Sequence, residues 1–456
     1  MNRSVFIIVP LALCLVLLST EGALAQAPPP QATPAPTTGR APIAGRILTL
    51  DECIAIALEA QPSIQATLYD YAAARYAVNA ALSPLLPHIS GLVSATKSEK
   101  SSVSTSKTTG RPLVTQSFNQ FSDTFDARVS LSQLLFDFGK NLAATEAARK
   151  LAEVAVENVE LQRQLISLAV KEAYTNILFA GRLIRVQEQA VQRAELNLRS
   201  AKGFFEVGTR PKSDVARAEV DVANARVDLI RARNALRTAR VALNTAMAID
   251  VDTPTEIQDN LVFQAVNLDR RQLRAEALRQ RPEYRQATLQ VGAAEATERK
   301  TFRDFFPDVT GSGSYGGTQL GGNQPQLNEN WSVGLNLSWT LFDGGNLVAK
   351  YQQAKANLEA AKQRVKSSEL DIIQNVEQAE IAVEEAQERI QAAQALVASA
   401  QENFRLAQGR FDAGVGTILE LTDAQLALTQ AQNTEAQALS DYRIALARLD
   451  RAVGRR

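Results

Sequence analysis

Two stretches of the chain alternate strictly between apolar and polar residues. From residue 331 to residue 341 the odd-numbered positions are apolar and the even-numbered ones are small or polar. A second run, over 121–136, alternates in the same way, and its polar face includes charges and therefore meets water. An alternation of period two predicts a β-strand, and about eleven residues is the length of a tilted strand that crosses a bilayer. Half-buried strands of a soluble sandwich are the alternative.

The first run presents large side chains on one face. Tryptophans stand near its two ends, where interfacial aromatic residues belong in membrane strands. We therefore expect the odd-numbered residues to face lipid, and they are Trp331, Val333, Leu335, Leu337 and Trp339. After the first 25 residues, no segment approaches the roughly 18 consecutive apolar residues of a membrane-spanning helix, so any crossing of a membrane would be made by strands.

The helices predicted from the sequence are long. Between 141 and 200 there is no proline and a single glycine, Gly181, which allows a helix on the order of 90 Å. In the following helix an apolar residue recurs every seventh position, with alanines interleaved, as in a coiled-coil seam. The apolar set is Val215, Val222, Leu229, Leu236 and Leu243, and the alanines are Ala218, Ala225, Ala232, Ala239 and Ala246. A weaker stripe of Val220, Val227 and Val241 predicts that each helix packs on two neighbours. Helices with two seams form a layer that can curve into a tube.

Several motifs occur twice at constant spacing. "SQLLFDFG" at 132–139 and "SWTLFDGG" at 338–345 are 206 residues apart, and the glycines of "GFFEVG" and "GRFDAG" keep that step. Upstream, Pro62 and Pro282 stand in similar contexts 220 residues apart. Such repeats at fixed spacing predict a tandem duplication.

The duplication divides the chain into units of the same order: a helix, a β-hairpin and long helices. We predict a first repeat over 48–250, a connecting segment over 251–268 and a second repeat over 269–456. The hairpins are expected at about 87–137 and 307–343. The polar stretch 97–112 and the glycine-rich stretch 311–324 are predicted to form outer loops, the first of them longer.

The amino-terminal part carries export signals. Residues 1–25 combine Arg3, an apolar core and a terminal "ALA", which is the pattern of a secretory signal peptide. The Pro, Ala and Thr-rich segment 26–47 predicts an extended tether. After cleavage only Cys53 would remain, so an intramolecular disulfide is excluded and Cys53 is expected to be a small apolar helix residue.

The composition gives no sign of catalysis or of nucleic-acid binding. Forty-nine basic residues balance forty-nine acidic ones, so no electrostatic argument favours nucleic acid. The single histidine, His88, follows a proline at a predicted helix-to-strand junction, where a polar junction role is expected. No glycine-rich phosphate loop and no metal-ligand spacing occur. We therefore expect no enzyme activity, no cofactor and no metal site.

Four strands cannot close a barrel alone, since each chain would leave two unpaired edges in lipid, where every unsatisfied backbone group is costly. Taken with the duplicated order and the "LFDFG", "LFDGG" and "F-x-x-G" motifs, the chain resembles the TolC-type outer-membrane efflux protein family from about Leu48 onward. The resemblance implies a mainly α protein with membrane β-structure. Three copies would form a 12-stranded outer-membrane barrel that continues into a periplasmic tunnel of 12 helices.

The resemblance also implies a function and partners. The trimer would be the passive exit duct of a tripartite efflux pump or a type I secretion system, joined by a periplasmic adaptor to an inner-membrane pump. The alternative is a trimeric structural fibre or envelope spacer, anchored in the membrane without transport. The sequence names neither the cargo nor the particular pump and adaptor.

Site residues follow from the same resemblance. The helix turns that dock the adaptor correspond to Val207, Gly208, Thr209, Ala413, Gly414, Val415, Gly416 and Thr417. An acidic ring at the periplasmic entrance corresponds to Glu420 and Asp423, although acids near a helix start can serve only the helix dipole. Some relatives latch the closed tip through an arginine at the position of Gly416, paired with the acid at Asp214. This chain has glycine there, so a latch would have to be rebuilt, with Arg210 as the candidate.

Overall fold

The computed structural model describes residues 46–108, 111–320 and 326–456, and it describes side chains there except at 100–122 and at the ends of the 321–325 gap. The predicted signal peptide and nearly all of the predicted tether lie outside the described residues. Within the described part, no helix is both long and apolar enough to cross a membrane.

Helices account for most of the structure. In chain order the elements are β1 (Ile47–Leu48), α1 (Leu50–Ala60), α2 (Pro62–Leu82), a 3₁₀ turn (Ser83–Leu85), β2 (His88–Thr108), β3 (Arg111–Phe136), α3 (Lys140–Glu206), α4 (Lys212–Ala246), β4 (Glu256–Ile257), α5 (Arg270–Gln280), α6 (Pro282–Arg303), β5 (Asp308–Leu320), β6 (Gln326–Ser338), α7 (Asn346–Asp412) and α8 (Ile418–Val453).

The bounds of these elements repeat with the two steps seen in the sequence. Helices α3 and α7 are both 67 residues long, and their first residues are 206 positions apart. Helices α1 and α5 are both 11 residues long, and their first residues are 220 positions apart. At 1.5 Å per residue each of the two long helices extends about 100 Å, which is slightly more than the sequence predicted.

Strands β2, β3, β5 and β6 form one antiparallel sheet in the order β2-β3-β5-β6. Within the protomer β2 and β6 are its edges. The polar stretch 97–112 was predicted as a loop, and this prediction is wrong for 97–108 and 111–112, while 109–110 lie outside the described residues. Backbone pairing between β2 and β3 runs from Lys97↔Asp123 out to Thr108↔Arg111, because the antiparallel ladder satisfies the backbone even where the side chains are polar. In the glycine-rich stretch, β5 likewise continues to Leu320, and 321–325 lie outside the described residues.

Strand β6 ends sooner than the alternation suggested. Its last pair is Asp308↔Ser338, so Trp339 lies just beyond the strand and the prediction of a strand through 341 needs correction there. The partner strand begins at Asp308 after Pro307, which has no N–H with which to extend the ladder. The indole Nε1 of Trp339 instead donates to the carbonyl of Phe305 at 3.0 Å.

The helices form a layer that starts directly at the sheet. Near the strands α3 packs between α2 and α6, and α6 also contacts α7. Farther from the sheet the order is α4-α3-α8-α7, with α3 and α8 inside the layer. Helices α4 and α7 therefore stand at its two edges.

The main hydrophobic core lies halfway along the long helices. Side chains of α1, α5 and the segment after α4 pack there against α3, α7 and α8. Two tyrosines fasten the predicted connecting segment: the hydroxyl of Tyr174 donates to the Gln258 carbonyl at 2.8 Å, and Tyr442 donates to that of Gln264. Strand β1 pairs in parallel with β4 (Ile47↔Glu256). The end of the predicted tether and the connecting segment therefore belong to the layer around this core, which we call the middle band.

Of three packing features predicted for the helices, two are buried and one is exposed. Cys53 is fully buried on α1, and burial raises the pKa of its thiol to about 12. The first α4 seam is covered, with Ala218 and Ala232 almost completely buried. The second stripe is exposed, because α4 packs mainly on α3 within the described protomer.

Candidate functional site

Two short turns join the long helices at the end farthest from the sheet. Gly208 and Gly414 take left-handed backbone conformations, with φ of +75° and +80°, as expected for glycine after a helix. The amide of Gly208 donates to the Phe205 carbonyl, and that of Gly414 donates to the Phe411 carbonyl. The predicted docking residues therefore lie together at the tips of two helical hairpins, where Val207 and Val415 are each 72 % exposed.

Glycine is required at 416 for a different reason. A Cβ atom at this position would lie 2.9 Å from the backbone nitrogen of Phe411. The amide of Gly416 also donates to the Arg410 carbonyl at 2.8 Å, which holds the turn tight. An arginine side chain at Gly416 would therefore require the turn to rearrange.

Arg210 links the two tips. Its guanidinium carbon lies 4.6 Å from the ring centroid of Phe411 and 5.9 Å from that of Phe204. The Nη2 atom donates to the Gly416 carbonyl, and Nη1 lies 3.7 Å from the carboxylate of Asp214. Both charged side chains are about 15 % exposed. We call these residues the tip clamp: Arg210, Asp214, Phe204, Phe411 and the Gly416 carbonyl.

The clamp contains two residues that the sequence reasoning missed. The rings of Phe204 and Phe411 meet edge to face, with centroids 5.6 Å apart. The "F-x-x-G" motif marks Phe411, but in the first hairpin it marks Phe205, which is exposed, while the packed ring is Phe204. Only the contact between the hairpins distinguishes these two neighbours.

The predicted entrance acids are exposed at the start of α8. The side chain of Thr417 accepts from the amide of Glu420 at 3.2 Å, so Glu420 occupies the first turn of the helix. Its carboxylate lies 3.7 Å from Arg410 Nη2. Ile418 and Leu421 are buried against the clamp rings, which leaves Glu420 and Asp423 on the outer side of the helix. This arrangement can attract cations if the face borders a pore.

A polar layer between α3 and α8 was also missed. The amide of Asn197 donates to Gln425 at 2.7 Å, and Gln187 donates to Asn433 at 3.4 Å. Arg193 lies between these pairs beside Phe404, and burial lowers the pKa of its guanidinium. Between the apolar middle core and the clamp rings, the two hairpins thus meet through polar side chains.

The sheet presents one apolar and one polar face. Residues opposite each other in the ladder share a face, and Trp331, Tyr315 and Val129 form one such row. The apolar face has no covering element among the described residues, and Val333 is 80 % exposed. Ser332, Ser314 and Ser130 form a row of the other face, where the hydroxyls of Ser314 and Ser332 are 2.9 Å apart.

The geometry offers no constellation for chemistry in the part of the chain that is described. No group of three or more His, Cys, Asp or Glu side chains is arranged to hold a metal ion among those residues. His88 is exposed at the first position of β2, at the junction where the sequence placed it.

Comparison with known proteins agrees with this geometry. The family model described as outer membrane efflux protein matches residues 53–248 and 273–455. Nodulation protein T of Rhizobium leguminosarum bv. trifolii is 27 % identical over 348 residues, which cover 73 % of this chain and 72 % of that protein. Outer membrane protein OprJ of Pseudomonas aeruginosa is 24 % identical over 182 residues, covering 40 % of this chain and 38 % of OprJ.

Solved structures share the fold. The outer-membrane channel OprN superposes with a TM-score of 0.75 at 20 % identity, and 89 % of each chain is covered. The outer membrane protein VceC of Vibrio cholerae gives a TM-score of 0.72 at 20 % identity, covering 89 % of this chain and 96 % of that one.

Proposed function

We propose that this chain, which belongs to the outer membrane efflux protein family, forms a trimeric channel-tunnel that acts as a passive exit duct across the outer membrane. Three copies would contribute twelve strands to one barrel and continue it with twelve helices in the periplasm. In this proposal each chain is an internal duplication, whose two halves supply equivalent parts of the wall.

The observation that carries the proposal is the sheet itself. It has an uncovered apolar face and two free edges, and it continues directly into the 67-residue helices. Thirteen residues of β5, tilted by about 40°, rise about 33 Å, which is close to the roughly 30 Å hydrocarbon thickness of a bilayer. Neighbouring copies would pair the free edges of β2 and β6, so that no backbone group is left unsatisfied in lipid.

The orientation of the sheet follows from its two faces. We assign Trp331, Val333, Leu335 and Leu337 to the lipid face, with Trp339 at the boundary where the strand gives way to the helices. The serine rows would then line a water-filled lumen. This assignment is favoured because an apolar surface of this kind is stable in lipid and costly in water.

The hairpin tips would receive the periplasmic adaptor, which joins the duct to an inner-membrane pump. Their exposed valines offer apolar contact area, and the rigid turns around Gly208, Gly414 and Gly416 present it in a fixed shape. A tripartite efflux pump or a type I secretion system would use the same duct, since a passive tunnel leaves the choice of cargo to the pump.

Two features at the tips would control passage. The tip clamp joins the hairpins of one copy because Arg210, paired with Asp214 of its own hairpin, contacts Phe411 and the Gly416 carbonyl of the other, and we propose Arg210 and Asp214 as the latch of the closed entrance. Glu420 and Asp423 from three copies would place six carboxylates around the axis, where their summed potential favours cations.

Native mass spectrometry of the chain extracted from outer membranes tests the proposal. We expect three copies per particle, and we expect labelling with a membrane-soluble carbene reagent at Leu335 but not at Asn336. A monomer, or equal labelling at both positions, would contradict the channel. A labelled trimer that does not conduct ions after reconstitution would instead support a membrane-anchored spacer.

A further inference from the structure

Helix α4 carries a second heptad pattern on the side turned away from α3. Six residues at alternating spacings of four and three are all exposed: Ala223, Val227, Ile230, Asn234, Arg237 and Val241. Such spacing is that of a coiled-coil seam, with a polar pair inserted between apolar positions. Within the described protomer, Arg237 forms no salt bridge. The exposed side of α4 therefore has the residue spacing needed to pack against another helix.

Helix α7, at the opposite edge of the layer, carries a face of the same kind. Its exposed residues at alternating spacings of three and four are Ile381, Glu384, Glu388, Gln391, Ala395 and Ala398. Glu388 forms no salt bridge with any described residue. Small side chains stand near the tip end of this face, and acidic ones stand nearer the middle band.

The positions of the two faces along the long helices, measured from the sheet, can be compared; we call this position the height. Salt bridges of 3.2 Å between Arg233 and Glu188 and of 2.7 Å between Arg226 and Glu195 fix how α4 lies against α3. Extended by four residues, this register sets Arg237 beside residue 184 of α3. Because α3 and α7 have the same length and begin 206 residues apart, residue 184 corresponds to residue 390 of α7. Glu388 is half a turn from that position.

Rotation about an axis along the tunnel preserves height, so the α4 edge of one copy meets the α7 edge of the next at matching levels. One antiparallel register then pairs five of the six positions on each face. It places Val227 and Ile230 against alanines, Asn234 against Gln391, and Arg237 against Glu388. Val241 lies opposite Glu384 in this register, so the match of apolar, amide and charged positions holds for the four pairs from Val227 to Arg237.

We propose that α4 of one copy packs on α7 of the next copy in this register, and that the ion pair between Arg237 and Glu388 fixes it. The partner is a second copy of this chain, so the inference rests on the proposed trimer and adds the residues that align it. A charged pair within a seam of mainly small and apolar residues favours one register, because a shifted alignment would separate Arg237 from Glu388.

Charge reversal tests the pair. We expect Arg237→Glu to reduce the fraction of heat-resistant trimer on electrophoresis at least tenfold, and we expect the added Glu388→Arg change to restore it to within twofold of the unmodified chain. Arg233→Glu is the matched control, since its partner Glu188 belongs to the same chain. Glu188→Arg should rescue that variant and Glu388→Arg should not. Failure of Glu388→Arg to rescue Arg237→Glu would overturn the register.

Cross-linking tests the register without disturbing the charges. Val227→Cys combined with Ala398→Cys should give disulfide-linked dimers and trimers, whereas Val227→Cys with Gln391→Cys, two helical turns away, should give little cross-linked product. Efficient cross-linking of the shifted pair in a conducting trimer would refute the register and leave the duct intact. If the unmodified chain forms no trimer, both proposals fail.

Discussion

Replacing Arg210 by alanine should separate the two hairpin tips. In the structure this side chain donates to the Gly416 carbonyl, stacks on Phe411 at 4.6 Å and lies 3.7 Å from Asp214. No other charged side chain among the described residues contacts both turns. The substitution removes all three interactions while the glycine turns themselves remain in place.

The contributions can be weighed from the geometry. A charged hydrogen bond to a carbonyl contributes about 1.5 to 3 kcal/mol, and a partly desolvated cation–π contact contributes up to about 2 kcal/mol. The Asp214 pair lies within the first hairpin, so it holds Arg210 in position and adds nothing directly to the contact between the tips. Since one side chain makes both contacts between the hairpins, they are not independent, and we expect a total near 2 to 4 kcal/mol, which shifts the equilibrium between joined and separated tips by roughly 30-fold to 1000-fold.

Hydrogen exchange of the reconstituted trimer measures this shift. In Arg210→Ala, the amides of Val415 and Gly416 should exchange faster by a factor in this range, and the single-channel conductance should rise. Arg210→Lys keeps the charge but loses the planar stacking, so an intermediate effect is expected. Arg217→Ala, at an exposed position of the following helix α4, should change neither quantity. Unchanged exchange in Arg210→Ala would refute the clamp.

Three further predictions concern the membrane face, the helix seam and the entrance. Leu335→Arg should weaken barrel insertion by about 2 to 4 kcal/mol, and Asn336→Arg should weaken it by much less, as measured by reversible folding into vesicles. Equal effects of the two changes would exclude the assigned faces. Ala232→Leu should overpack the α3–α4 contact by about 1 to 3 kcal/mol and lower the melting temperature of the trimer, and an unchanged melting temperature would be evidence against the seam. Glu420→Gln with Asp423→Asn should reduce cation selectivity, most strongly at low salt, and an unaltered reversal potential would remove these acids from the pore.

Much of the fold could be predicted because it rests on periodic patterns. Strict alternation located β6, the absence of proline located α3 except for its last six residues, and heptads located α4. The glycines at 208 and 414 could be placed because a helix-to-helix turn needs a left-handed residue. These features depend on local backbone conformation, which can be predicted from the periodicity of apolar residues and from the positions of proline and glycine.

The remaining features depend on contacts between distant segments. The polar stretch 97–112 has loop-like composition, and its pairing with β3 is decided by backbone hydrogen bonds that side chains do not reveal. Phe204 packs in the clamp and Phe205 does not. This difference depends on the positions of Arg210 and Phe411, which contact Phe204. The band formed by the connecting segment likewise depends on two tyrosines, at 174 and 442, which belong to helices far away in the chain.

Single-channel recording of the purified chain in planar bilayers tests the central claim most directly. The proposed duct predicts discrete, ohmic conductance steps that are larger in Arg210→Ala than in the unmodified trimer and that disappear when the trimer is dissociated by heat. A trimer that inserts into the bilayer and carries no current in either form would contradict the claim that this chain is a channel.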